Sequence, residues 1–304
     1  MSAFAAALLL LAAQARAAAP PRRPQPFYAL TRPQLERALL RIHAEHRGLR
    51  ERVEAVSERF LGTPYRLGPL GEGPRGLFDR DPLVRFDAVD CTTFVEETMA
   101  LSLRPKLADA LDVLRRIRYE NGRVGFSTRN HFPSVDWLPR NLKAGYLRDI
   151  TRRVAGADTL EVSKTISKRR WYAAMSTASL QGPFSAAQRR RLLPRLRGLG
   201  RGLPEERATL PVLPMAQLAR DLARIPSGTL ANLVRADRPD KPVLVSHQVL
   251  LIRKGKTLYV RHAAFGAAVV DVPAPAYFRR YARSSWPLLG LNLDEIRDPE
   301  ARGH

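Results

Sequence analysis

The chain reads as an α+β protein, and three observations predict it. Apolar residues recur at helical spacing in the first third of the sequence. The last third alternates in β-branched runs. Between them a lone cysteine, Cys91, stands directly before an amphipathic helical pattern in "DAVDCTTFVEETMALSL". Helices first and hairpins later favour α+β over an alternating chain. The helix after Cys91 is expected to pack on a small antiparallel sheet.

The chain opens "MSAFAAALLLLAAQARAAAPP". Ala3 to Ala13 is an apolar run of eleven residues, too short to span a bilayer. Ala15-Arg16-Ala17 fits the small-x-small rule for cleavage, although no Lys or Arg precedes the run. Residues 1–17 therefore read as a secretory signal peptide, and no later segment reads as a membrane span. Residues 18–30, rich in Pro and Arg, read as a disordered linker. Residues 31–304 read as a single domain with a basic insertion near 183–207. The mature protein is expected to be exported and periplasmic.

From Thr31 to Phe60 the pattern is helical, with Leu35, Leu39, Ile42, Leu49, Val53, Val56 and Phe60 on the apolar positions. The stretch 61–82 is Gly- and Pro-rich loop. "LVRFDAV" (83–89) reads as a strand leading into Cys91. Two helices, 92–103 and 106–119, are separated by Arg104-Pro105. A turn-rich segment (120–141) carries Arg129, His131, Asp136 and Trp137. Strands are expected around 159–163, a basic helix or surface loop over 183–207, two or three antiparallel strands over 242–272, and a short terminal helix over 274–284.

Fifty-one Lys and Arg against 29 Asp and Glu leave a formal charge of +22. No aromatic-basic interleaving or nucleic-acid motif accompanies it, so no nucleic-acid partner is expected. An exported basic protein suits an anionic envelope polymer, held by contacts that salt weakens. HExxH, GxSxG, GxGxxG and phosphate-loop patterns are absent, as is any Cys/His metal spacing. No metal or cofactor is expected.

A single Cys cannot form an internal disulfide. Its commoner fate is as a small buried hydrophobe, and its sharper reading is as a nucleophile. A helix beginning at Cys91 would place the thiol over the positive end of the dipole and lower its pKa. The Cys91 amide could then receive an oxyanion. Thr92 or Thr93 is expected to cap that helix, and Glu96 or Glu97 to complement its first turn.

A nucleophilic thiol needs a base. Among six histidines, His43 and His46 lie among charged neighbours and read as solvated, and His304 ends the chain. His131, His247 and His262 remain. "VLVSHQVLLIR" and "KTLYVRHAAF" read as a hairpin turning at Lys254-Gly255, which opposes residues whose numbers sum to 509. His247 then faces His262 directly, on one side of the sheet.

Six stretches resemble the N-acetylmuramoyl-L-alanine amidase-like branch of the NlpC/P60 cell-wall hydrolases. In order they are "FLGTPYRLGPL", "VDCTTFVEETMAL", "STRNHFPSVDWLPRN", "IPSGTLANLVRA", "VSHQVLLI" and "YVRHAAFGAAVVDV". The resemblance runs from about 59 to 290 and is poor over 150–205. It implies a papain-like α+β core with the Cys at a helix start, packed on the antiparallel sheet that supplies the His. It implies Cys91 as nucleophile, His247 as general base and acid, and His262 as its orienter. It also implies a substrate site formed by Tyr65, Asp90 and Ser246, with Arg129, His131, Asp136 and Trp137 lining the pocket. Gln248-Val249-Leu250 stand where relatives carry a Gly after the His, and these larger side chains are expected to narrow the cleft. The implied function is hydrolysis of the amide between N-acetylmuramic acid and L-Ala in peptidoglycan or muropeptides. The alternatives are a γ-D-Glu–diamino acid endopeptidase and a non-catalytic wall binder.

Overall fold

The computed structural model describes residues 24–301. The expected signal peptide, the start of the expected linker and His304 lie outside the described residues. The first half of the chain is helical: α1 (Arg32–Glu45), α2 (Leu49–Glu58), α3 (Cys91–Leu103), α4 (Leu107–Arg118) and α5 (Leu138–Lys143). Then come β1 (Leu147–Asp149), α6 (Thr151–Ala155), β2 (Leu160–Ser167), α7 (Lys168–Ala173), α8 (Ala186–Gly198) and β3 (Glu205–Pro214). The chain continues with α9 (Met215–Asp221), β4 (Thr229–Arg235), β5 (Val245–Lys254), β6 (Thr257–Ala263), β7 (Val269–Pro273), α10 (Ala274–Arg279) and β8 (Leu288–Ile296).

The mixed α+β class holds, but several elements differ from expectation. The helix expected over 31–60 is two, because the chain turns extended at His46 and restarts after Gly48. Residues 83–89 form no strand: only Val89 bridges, to Tyr65, and Arg85 folds back onto Asp87 at 2.8 Å. The linker is ordered over its last residues. The Phe27 ring is 1 % exposed, meets Phe60 edge-on with centroids 5.3 Å apart, and its N–H donates to the Arg59 carbonyl. Burying a ring of that size stabilises by about 2 kcal/mol, which outweighs the entropy of ordering one aromatic side chain. The helix after Cys91 is not amphipathic. Every residue of α3 from Thr93 to Leu103 is buried, Glu96 and Glu97 included, so α3 is a core helix.

Among the described residues the sheet has eight strands, in the order β2-β3-β8-β4-β5-β6-β7, with β1 also paired to β8. All pairings within it are antiparallel. It is larger than the expected small sheet, and the helix at 274–279 is not terminal: β8 follows it and runs beside β4 through the middle. One face packs against the N-terminal helices through Phe94, Met99, Leu230 and Leu250. The other packs against α9 and α10 through Val249, Val260, Leu218 and Tyr277. The basic stretch expected over 183–207 contains α8, anchored by buried Leu192 and Leu196 in a small apolar cluster with Phe78, Phe126 and Tyr172.

Candidate active site

Cys91 is the first residue of α3, and Asp90 caps the helix. Its Oδ1 accepts the Thr93 N–H at 2.8 Å, and Thr93 Oγ1 accepts the Asp90 N–H at 2.9 Å in return. Neither Thr92 nor Thr93 is the cap, which corrects that expectation. Asp90 Oδ2 accepts the Gly68 N–H at 2.9 Å. Both carboxylate oxygens thus hold backbone, fixing the loop that carries Tyr65 against the helix start. Glu96 and Glu97 do not complement the first turn. Glu96 accepts from Arg118 at 2.6 Å and from Trp137 Nε1 at 2.9 Å in the interior.

The Cys91 thiol is pushed up to about 12, by burial first and then by the neighbouring Asp90 carboxylate. This corrects the expected lowering. The cap that starts the helix places an anion where the dipole's positive end would otherwise favour a thiolate. The Gln248 backbone and the Thr92 hydroxyl and amide lie beside the sulfur and oppose the rise, with Thr92 Oγ1 at 3.9 Å. The β5–β6 ladder ends at Leu250–Arg261, two residues short of Gln248, so the thiol lies where these strands part.

The histidines sit beside that point. His247 Nε2 and His262 Nδ1 are 3.0 Å apart, with ring planes at 89°. The hairpin pairs residues summing to 511, because Gly255 and Lys256 form the turn. The expected direct opposition of the two histidines is therefore corrected to a diagonal one. A shift of two positions keeps both rings on one face. Burial lowers His247 to about 3, and His262, Arg280 and Arg235 add to it. Burial and then Arg280 lower His262 to about 4. Both imidazoles are neutral at pH 7. His262 is 2 % exposed, its ring edge meets Tyr277 at 4.8 Å, and its Nε2 has no hydrogen-bond partner among the described residues. No hydrogen bond joins Cys91 to either imidazole among the described residues; Gln248, whose backbone lies beside the sulfur, is the residue after His247.

Tyr65 lies close enough for a Cys91 or Asp90 charge to act on it. Burial first, then those two groups, push its phenol up, so it remains a hydrogen-bond donor. Its ring is edge-on to Phe265, which is 82 % exposed. Ser246 is an extra residue in β5: Leu233 pairs with His247 but Val234 pairs with Val245. Such a bulge re-aims the next side chain. Ser246 Oγ accepts from Arg235 Nε at 2.9 Å, which pins the bulge and leaves its hydroxyl facing the protein.

A hollow of about 390 Å³ beside Gly68 is lined by Arg129, His131, Phe126 and Trp171. Arg129 is tied to Glu72 and, at 2.8 Å, to Asp79. His131 bonds the Phe126 carbonyl at 2.7 Å, and burial holds it well below its usual range. Asp136 and Trp137 do not line this hollow, which corrects the expectation. Trp137 is 0 % exposed in the core, and Asp136 is buried on Lys168 at 2.5 Å. Trp171 was missed because it falls in the 150–205 region, where the resemblance is poor. Gln248, Val249 and Leu250 are all buried and do not narrow the cleft. Gln248 Nε2 donates to Asn232 Oδ1 at 2.9 Å, and Asn232 Nδ2 donates to Asp294 Oδ2 at 2.9 Å. His43 is not freely solvated either: its Nε2 is 2.8 Å from the Leu101 carbonyl oxygen. Among the described residues no helix is long and apolar enough to cross a membrane, and no group of three or more His, Cys, Asp or Glu side chains is placed to hold a metal.

Residues 55–284 match the family described as N-acetylmuramoyl-L-alanine amidase-like, and the chain belongs to that family. A crystal structure of a Legionella pneumophila protein superposes with a TM-score of 0.80 at 27 % identity, covering 87 % of this chain and 95 % of that one. An N-acetylmuramoyl-L-alanine amidase from Bacteroides uniformis superposes with a TM-score of 0.61 at 22 % identity, covering 82 % and 99 %. The second likeness is one of fold. None of the curated proteins matches the chain.

Proposed function

We propose that this chain is an exported cysteine hydrolase of peptidoglycan or muropeptides, on a papain-like NlpC/P60-type core. It cleaves the amide between N-acetylmuramic acid and L-Ala. The observation that carries the reading is the junction at Gln248. Its backbone lies beside the Cys91 sulfur, and the adjacent residue, His247, is hydrogen-bonded to His262. The family match supplies the substrate class.

The groups start neutral. His247 removes the thiol proton as Cys91 Sγ attacks the lactyl carbonyl carbon. To act as base through Nδ1, His247 carries hydrogen on Nε2 and donates it to His262 Nδ1. His262 then holds its own hydrogen on Nε2, the buried atom without a partner. The tetrahedral oxyanion takes hydrogen bonds from the Cys91 amide and the Tyr65 hydroxyl. Collapse breaks the C–N bond, His247 returns the proton to the L-Ala amine, and a thioester remains. His247 then deprotonates water, which hydrolyses the thioester and frees the thiol.

Incubation with defined muropeptides, read by mass spectrometry, tests this. The expected products are the free L-Ala-terminated peptide and the sugar with a lactyl carboxylate. Cleavage at γ-D-Glu instead makes the chain a stem-peptide endopeptidase. Intact substrate leaves the wall binder.

A further inference from the structure

A second cleft, of about 510 Å³, lies between the β2–β3 ribbon, α7 and the 237–242 loop. Trp171 lines both this cleft and the hollow beside Gly68, so the two are neighbours across one indole. Lys164, 7 % exposed, is paired with Asp237, and Asp240 is paired with Arg238 and Lys241. These pairs hold the 237–242 loop as one wall. The rest of the lining is polar too: Thr165 and Arg207, cross-strand partners on the ribbon, and Arg170 of α7 all contribute to it. Arg170 and Arg207 are exposed, and neither forms an ion pair among the described residues. Two uncompensated guanidinium groups beside an aromatic wall suit a planar carboxylate better than a neutral sugar.

Building on the proposed amidase reading, we propose that this cleft is a substrate subsite in which Arg170 and Arg207 bind a carboxylate of the stem peptide. The scissile amide then lies on the Gly68 side of Trp171 and the peptide's carboxylates on the other. Both arginines are screened by solvent, so the recognition weakens with salt.

The test is calorimetric titration of Cys91→Ala, which cannot consume substrate, with N-acetylmuramoyl-L-Ala-D-Glu and with its bis-carboxamide. We expect the carboxylate probe to bind about tenfold tighter. The preference should vanish in Cys91→Ala/Arg170→Ala/Arg207→Ala, whose added substitutions remove only exposed side chains. No preference in Cys91→Ala, an unchanged preference in the triple variant, or no binding of either probe overturns the subsite. Cleavage of the same probe by the unmutated protein is scored separately. A failure there overturns the amidase reading and leaves the binding result standing.

Discussion

His247 Nε2 lies 3.0 Å from His262 Nδ1 although the two residues are not cross-strand partners. The ladder would place Val249 opposite His262. Instead the strands separate beyond Leu250, and the rings meet diagonally across the gap. The bulge at Ser246, fixed by Arg235, sets the position from which His247 reaches across.

That contact predicts unequal losses. His247→Ala removes the base and should lower kcat by about 10²–10⁴-fold. His262→Ala removes the acceptor that fixes the tautomer and should lower kcat by less, with KM little changed. Steady-state kinetics on a muropeptide checks the order. Equal activity of His247→Ala and the unmutated protein would refute the role.

The raised thiol predicts slow alkylation at neutral pH. The iodoacetamide rate at Cys91 should climb about tenfold per pH unit from 7 to 9, tracking the thiolate fraction. A plateau below pH 7 would mean a stabilised thiolate. The sign for stability follows from the same shift. The folded state holds the proton above the ordinary thiol range, so this contribution is intact at neutral pH and is lost as pH rises toward 12. The two histidines act oppositely. Lowered to about 3 and 4, they contribute stability above pH 6.5 that is lost as pH falls toward 4.

Asp294, in the polar chain behind Gln248, is raised to about 8 by burial and by Asp149. Its folded state favours the proton, so stability falls as pH climbs from about 4 to 8. Asp294→Asn should flatten that fall by at least about 1.4 kcal/mol, the equivalent of one pKa unit. Urea unfolding at pH 5 and pH 8.5 measures it; identical slopes in both proteins would contradict the assignment.

Glu96 accepts from both Arg118 and Trp137 deep in the core. Arg118→Met leaves the carboxylate without its cation and should cost about 3–5 kcal/mol. Thermal unfolding should show a clear drop in Tm. An unchanged Tm would mean that Glu96 is neutral in the folded protein.

Much of this was legible in the sequence, and the misses have physical causes. The alternation in 245–263 marked both histidine strands, and an error of two in register left their faces unchanged. "LLGLNLDEI" was passed over because β8 is buried on both faces, so Leu291 and Leu293 bury with Asn292 and Asp294 rather than alternating with solvent-facing polar side chains. Asp136 and Trp137 looked like pocket residues because a buried hydrogen-bonded carboxylate and indole have the same letters as exposed ones. The Gln248 backbone beside the sulfur had no sequence signal, since every residue carries a backbone.

Turnover of a defined muropeptide by Cys91→Ala, beside the unmutated protein and with both shown folded by circular dichroism, tests the central claim most directly. The account predicts release of the L-Ala-terminated peptide by the unmutated protein and none by the variant. Equal release by both would show that the sulfur at the start of α3 is not the nucleophile.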